Sequence, residues 1–303
     1  MATVVDAARD ALGPVGVSLP GSLNSTPHTD LQRDAVHRLE GAGHRTVWTN
    51  EVLGKDAFVQ IGILLAATER MVFGTCIANI WARPAQTMHA AAAQLAEAYP
   101  GRVVAGLGVG YPEQAASVGM EFGRPLATMH DYVKRIDSPS WPPAPDTAYL
   151  RIIAANGPKM LALAGEIADG AMPATLPPKF TAQAREVLGP EKLLVVGLST
   201  ILDADRGRAK VAAREQVSGR LGVPSYAATI ASLGYSEQDI GEVADPIVDA
   251  IVAHGDSSSI AAAVHEHLKA GADHVTILPP LGSDFSTGVD ELERLAQALS
   301  ELA

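Results

Sequence analysis

The feature of this 303-residue chain that most restricts its fold is an alternation, about eight times over, of short apolar or β-branched runs with helical segments, without a linker between units. The first unit runs from PVGVSLP (Pro14 to Pro20) through a polar loop into a pattern with Leu31, Ala35 and Leu39 at four-residue spacing, which predicts strand, loop and helix. Gly41 and Gly43 stop that helix and TVWTN (Thr46 to Asn50) reads as the second strand. A helix over 56–69 leads into MVFGTCIANI, and Pro84 opens a helix carrying Met88, Ala92, Leu95 and Tyr99 on one face. RVVAGLGVG (Arg102 to Gly110) is the fourth strand, followed by a proline-rich loop over 137–146. Then come YLRIIAA (Tyr149 to Ala155), a helix from Pro158 with Met160, Leu163 and Ile167 as its apolar face, the short run ending ADGAMPA, and LLVVGLSTIL (Leu193 to Leu202). A mostly helical excursion over 205–254 is longer than one crossover requires. Asp256 then caps a helix bearing Ile260, Val264 and Leu268, and HVTILP (His274 to Pro279) is the last strand. Eight such units predict an α/β fold, a (β/α)8 TIM barrel formed as one domain over 1–303, with the helical insertion before the last β/α unit.

Composition narrows the partners. A net charge of −11 argues against duplex nucleic acid and anionic membrane surfaces, which attract basic faces. A small-molecule ligand fits better, and an anionic one remains compatible because helix N-termini bind phosphate locally. The single cysteine, Cys76, precludes an intrachain disulfide, and residues 1–12 lack a basic-then-apolar leader pattern, so a cytoplasmic location is expected. No apolar run reaches the ~18 residues of a membrane span.

In such a barrel the chemistry belongs to the loops after the strands' C-terminal ends. Gly106, Gly108 and Gly110 allow close backbone approach to a ring or phosphate, although they do not form the G-x-G-x-x-G dinucleotide pattern and also suit an ordinary barrel end. Ala155, Asn156 and Gly157 precede Pro158 at a helix start, where free amides serve either a helix cap or an anionic ligand. Glu51 and Tyr111 are candidate proton donors, against plainer roles as an ion-paired carboxylate and a packing residue. His28, after the first strand, is a further candidate, and Trp81 and Arg83 either wall a substrate pocket or pack. His265 and His267, two apart on a helix, point in different directions, so no metal site is expected. A G-x-S-x-G elbow and a Walker loop are both absent from the sequence.

Three segments, GTCIANIWARP (Gly74 to Pro84), GRVVAGLGVG (Gly101 to Gly110) and AANGPKMLALAGEIADG (Ala154 to Gly170), resemble the luciferase-like monooxygenase superfamily. LGYSEQDI, VDAIVAHGD and HLKAGADHVTIL extend the resemblance, which covers nearly the whole chain, to the actinobacterial branch that uses coenzyme F420, a deazaflavin, in place of FMN. The resemblance implies an F420-dependent oxidoreductase that passes hydride between the deazaflavin and a small organic substrate such as an activated alkene, imine, alcohol or carbonyl compound. It implies a bulge with a non-proline cis peptide at the end of the third strand, between Cys76 and Ile77, backing the cofactor ring. Asn50, Ala78, Asn79, Gly108, Val109, Gly110 and the Ala155–Pro158 segment would complete the cofactor site, with Glu51 and Tyr111 as the catalytic candidates. Asn50 and Glu51 stand where sugar-phosphate dehydrogenase relatives carry an acid and a histidine, and the proline-rich loop over 137–146 is shorter than the insertion many relatives carry beside the substrate. The resemblance also implies a homodimer. Two alternatives remain: an FMN-dependent two-component monooxygenase of the same superfamily, and a non-catalytic F420-binding or storage protein. A ring face plugged by Trp81 and Tyr111 would favour storage, whereas a polar pocket connected to solvent would favour an enzyme.

Overall fold

A computed structural model describes residues 4–21, 25–52 and 54–302. Eight parallel strands close a barrel: β1 (Val15–Ser18), β2 (Thr46–Thr49), β3 (Val72–Thr75), β5 (Val103–Gly108), β6 (Leu150–Ala154), β7 (Gly170–Met172), β8 (Leu193–Leu202) and β10 (His274–Leu278), with β10 pairing back onto β1. A two-residue strand, β4 (Ala78–Asn79), continues β3 beyond a bulge and pairs with the top of β5. The helices that return the chain around the outside are α2 (Thr29–Gly41), α3 (Ala57–Ala66), α4 (Ala85–Ala98), α6 (Pro125–Ile136), α7 (Pro158–Ile167), α8 (Pro178–Leu188), α13 (Ser257–Lys269) and α14 (Phe285–Ser300).

Strand alternation divides the apolar residues into two cores. Val17, Val47, Phe73, Ala105, Ile153, Leu194 and Ile277 point outward into the helix layer. Trp48, Val72, Val104, Ile152, Met172 and Val195 point inward and fill the barrel. The inward set is sustained by glycines opposite large rings: a Cβ on Gly74 would lie 2.3 Å from the Trp48 ring, and one on Gly16 would lie 2.7 Å from His274. Trp48 Nε1–H donates to His274 Nε2 at 3.0 Å, and His274 Nδ1 lies 2.7 Å from the Gly13 carbonyl, so this buried imidazole is neutral with its proton on Nδ1. Burial accordingly pushes its pKa down to about 4.

Several elements differ from the sequence expectation. Helix α1 (Val4–Leu12) closes the barrel's N-terminal end, burying Val5, Ala8 and Leu12 against Val72, Leu150 and Leu193. On α2 the buried face is Gln32, Ala35, Val36 and Leu39, and Leu31 is exposed. On α7 the fully buried residues are Leu161 and Ala164, with Met160, Leu163 and Ile167 only half-buried. Between β5 and β6 stand two helices, α5 (Pro112–Ser117) and α6, the latter burying Met129, Val133 and Ile136. The 205–254 excursion comprises α9 (Arg206–Leu221), α10 (Pro224–Ser232), α11 (Glu237–Glu242) and α12 (Asp245–Ile251). It does not end in helix but in strand β9 (Val252–Gly255), which pairs with the upper half of β8 from Ser199 to Leu202. The physical reason is that β8, at ten residues, outruns its neighbours and its projecting backbone groups need partners.

Candidate active site

The bulge after β3 shapes the mouth of the barrel. The peptide bond between Cys76 and Ile77 is cis, and both residues are half-buried at the top of the inward core. Desolvation pushes the Cys76 thiol up to about 12, which leaves it protonated and unreactive at neutral pH. Ala78 and Asn79 then pair with Leu107 and Gly108. A Cβ on Gly108 would come within 2.7 Å of the Ile77 side chain, so the absence of one lets Ile77 lie flat against β5.

Glu51, just past β2, is the buried organiser of this end. Its Oε1 accepts from Ala57 N–H at 2.9 Å and its Oε2 from Asn79 N–H at 2.8 Å, joining the start of α3 to the bulge. Arg83 grips the same carboxylate with both terminal nitrogens, one at 3.0 Å from Oε2, and reaches Asp56 at 2.9 Å. Its guanidinium lies 5.3 Å from the centre of the Phe58 ring, and its carbonyl accepts from Tyr132 Oη–H. Burial works against the Arg83 charge, but Glu51 and Asp56 outweigh it and raise its pKa. Burial likewise opposes the Asp56 carboxylate, and the Val59 and Phe58 N–H groups with Arg83 still hold it below the usual range.

Beside this cluster lies a cavity of about 410 Å³ lined by Glu51, Lys55, Asp56, Asn79, Trp81 and Arg83, among others. Exposed Gly54 and Val118 form part of its rim, so it opens to solvent. Trp81 forms one wall, its Nε1–H donating to the Val109 carbonyl at 2.7 Å and its ring packed 6.0 Å from Phe122. Lys55, which no sequence motif singles out, also faces this cavity. Its Nζ donates to Thr49 Oγ1 at 2.8 Å and Asn50 Oδ1 at 3.0 Å, and burial pushes its pKa down to about 8. A lysine directly before a helix-capping aspartate looks like a surface residue, and only the fold of the loop turns it inward.

The other expected residues sit elsewhere on the mouth. Tyr111 caps α5, is half-exposed and accepts a hydrogen bond from Arg220 of α9 at 2.9 Å, away from the cavity lining. Gly110 holds φ +56°, and a Cβ there would collide with Gln114 Oε1, which accepts from Tyr111 N–H. Ala155 is buried, and Asn156 is a structural tie: its Oδ1 accepts from Ala174 N–H and its carbonyl from Thr229 Oγ1–H. Gly157 and Pro158 open α7, whose first turn has no side-chain cap, with open space around Gly157. His28 caps α2 in an exposed position and does not line the cavity.

The luciferase-like monooxygenase pattern matches residues 15–274, which takes in the barrel strands from β1 to β8 and ends at the first residue of β10. The chain belongs to the luciferase-like monooxygenase family. Two relatives illustrate the neighbourhood this family member occupies. One, from Mycobacterium tuberculosis and assigned to the coenzyme F420-dependent oxidoreductases, is 29% identical over 187 residues, 51% of this chain and 54% of that protein, so the match spans about half its length. The other, 5,10-methylenetetrahydromethanopterin reductase of Methanolobus tindarius, is 23% identical over 80% of this chain and 88% of its own. Among solved structures, an F420-dependent secondary alcohol dehydrogenase in complex with an F420-acetone adduct superimposes with a TM-score of 0.71 at 18% identity, over 94% of this chain and 98% of that one. This last likeness establishes the shared barrel of the family. Among the described residues, no helix is long and apolar enough to cross a membrane.

Proposed function

We propose that this luciferase-like protein is an F420-dependent oxidoreductase that transfers hydride between the deazaflavin and a small organic substrate. The observation that carries this reading is the cavity with Glu51, Lys55, Asn79 and Arg83 in its lining, open to solvent and not closed by Trp81 or Tyr111, which favours an enzyme over a storage protein. The residues present fit the cofactor: the Ile77 side chain, laid against Gly108, offers an apolar surface to a ring, and the uncapped first turn of α7 at Gly157 offers free amides to an anionic tail. When bound, the deazaflavin supplies a two-electron hydride carrier. The chain's own contribution is orientation: the Glu51–Arg83 pair locks the bulge to α3, and Trp81 holds one wall of the substrate cavity. The F420 in the name of the Mycobacterium tuberculosis relative supports the deazaflavin over FMN. Function in the cytoplasm as a homodimer accords with this reading.

Parallel fluorescence titrations with F420 and FMN test the assignment. The expected result is preferential F420 binding that weakens when Gly108→Val pushes the Ile77 side chain off its seat on β5. Preference for FMN would redirect the protein to oxygen-dependent chemistry, and binding of neither would remove the cofactor assignment.

A further inference from the structure

Hydride transfer to or from a carbon that bears oxygen leaves one proton to be moved, and the titratable groups lining the cavity are Glu51, Lys55, Asp56 and Arg83. Three of these are committed. Both oxygens of Glu51 accept from backbone N–H groups and from Arg83, while Asp56 caps α3 and pairs with the same guanidinium. Tyr111 turns to Arg220, and Tyr132, just outside the lining, spends its hydroxyl proton on the Arg83 carbonyl.

Lys55 differs because its hydrogen bonds have a fixed direction. The Pro27 carbonyl can only accept, and it takes a proton from Gln32 Nε2 at 2.7 Å. Gln32 Oε1 therefore accepts from Gln60 Nε2–H, and Gln60 Oε1 accepts from Thr49 Oγ1–H at 2.5 Å. Thr49 has no proton left for Lys55, so Lys55 must donate to it, as it also does to Asn50 Oδ1. Two of the three positions on Nζ are thus fixed as donors, and the third is the one that carries either a proton or a lone pair. The charges around the cavity balance, Glu51 and Asp56 against Lys55 and Arg83, which matches an uncharged substrate.

We propose that Lys55 is the catalytic proton donor and acceptor of this site, and that its substrate is an uncharged carbonyl compound or the corresponding alcohol, whose oxygen docks on the third position of Nζ. The proposal rests on the F420-dependent reading above. In the reducing direction a bound reduced deazaflavin would supply hydride to the carbonyl carbon, the C=O π pair would move to oxygen, and that oxygen would take a proton from the Lys55 ammonium. The substrate gains two electrons, the cofactor loses two, and the Lys55 amine recovers its proton from solvent through the open rim. Alcohol oxidation reverses each transfer. Thr49 and Asn50 are positioning residues. Burial, opposed by Glu51, brings the titration of Lys55 to about 8, where both forms are populated near neutral pH.

The first test needs no cofactor. Competitive acetylation with acetic anhydride across pH 6–11, read at Lys55 by peptide mass spectrometry, should give a midpoint near 8, against about 10.4 for an unperturbed lysine. Thr49→Val removes an acceptor from the ammonium and should lower that midpoint further. A midpoint in the ordinary lysine range overturns the proposal. The second test measures F420 affinity and reduction of a panel of ketones and aldehydes by reduced F420. Lys55→Met should bind F420 as the wild type does yet lose roughly 100- to 10,000-fold in turnover. Lys55→Arg should abolish the fall in wild-type reduction rate above pH 8. If wild type binds F420 but reduces none of the panel, or if Lys55→Met turns over at the wild-type rate, the proposal fails and the cofactor reading stands. If wild type does not bind F420, the cofactor reading fails and takes the proposal with it.

Discussion

At the scale of single residues, the site is organised by charge burial. The Glu51 side chain is 2% exposed and the Arg83 side chain 8%, so each depends on the other for solvation. Arg83→Met should therefore cost roughly 3–5 kcal/mol of stability by urea denaturation, because it strands a buried carboxylate. Adding Glu51→Gln should recover a large part of that loss, and an unchanged deficit in the double variant would mean that packing on Phe58, not charge, holds Arg83 in place. The sequence named Glu51, Trp81, Arg83 and Asn79, four residues that converge on one cavity. It could not fix their roles: Glu51 reads more readily as an ion-paired carboxylate than as an acid, and only its three partners, Ala57, Asn79 and Arg83, decide for the anchor. Lys55 escaped notice because no residue type or spacing signals a lysine whose ammonium is held between Thr49 and Asn50. His28, selected for its position after β1, proves to be a helix cap, because a chain that enters α2 needs an acceptor for Asp30 N–H.

At the scale of elements, the barrel's two ends are finished by pieces the β/α rhythm does not announce. Helix α1 inserts Leu12, fully buried, into the N-terminal end of the inward core. Leu12→Ala should destabilise the chain by about 2–5 kcal/mol, measured by urea titration, with little effect on the proposed F420 binding at the opposite end. A loss of affinity equal to the loss of stability would contradict this separation of ends. At the mouth, the excursion is tied down by Tyr226, whose hydroxyl donates to the Thr175 carbonyl, and by Lys179, which bonds to the Leu233 carbonyl. Tyr226→Phe removes one of these ties and should cost about 1 kcal/mol, with faster amide exchange confined to 224–242. The strands were legible because each is a short apolar run set off by turn residues. Helix α6, to which the sequence analysis assigns no element, is legible in principle, since Met129, Val133 and Ile136 recur at helical spacing, and the proline-rich stretch over 137–146 after it is loop as expected. Strand β9 was not, because VAHG has no partner in the sequence to show that β8 projects beyond the barrel.

At the scale of the whole molecule, the barrel carries a built-in sensitivity to acid. His274 inside the barrel and His267 between α13 and Thr181 of α8 are both pushed down to about 4 by burial. The unfolded chain takes up these protons first, near pH 6.5, so the stability they represent is fully present above that value and is lost as pH falls toward 4. Each group removes up to about 1.4 kcal/mol per pH unit across that window. Urea midpoints at pH 7.5, 6 and 5 should fall progressively, and His267→Asn should flatten the slope; a pH-independent midpoint would show that neither histidine is held neutral. The sequence alone determined the (β/α)8 class and the eight barrel strands, because alternating hydrophobic periods and local glycine and proline signals are written in consecutive residues, and its motifs carried the family resemblance. Tertiary structure alone decided that Trp48 and His274, 226 residues apart, fill the barrel opposite glycines, that β9 completes β8, and that Glu51 is tied up by Arg83 while Lys55 turns in to Thr49 and Asn50 at the cavity. Those outcomes depend on which groups compete for the same donors, acceptors and space once the strands have closed, and that competition has no signature in the order of the residues.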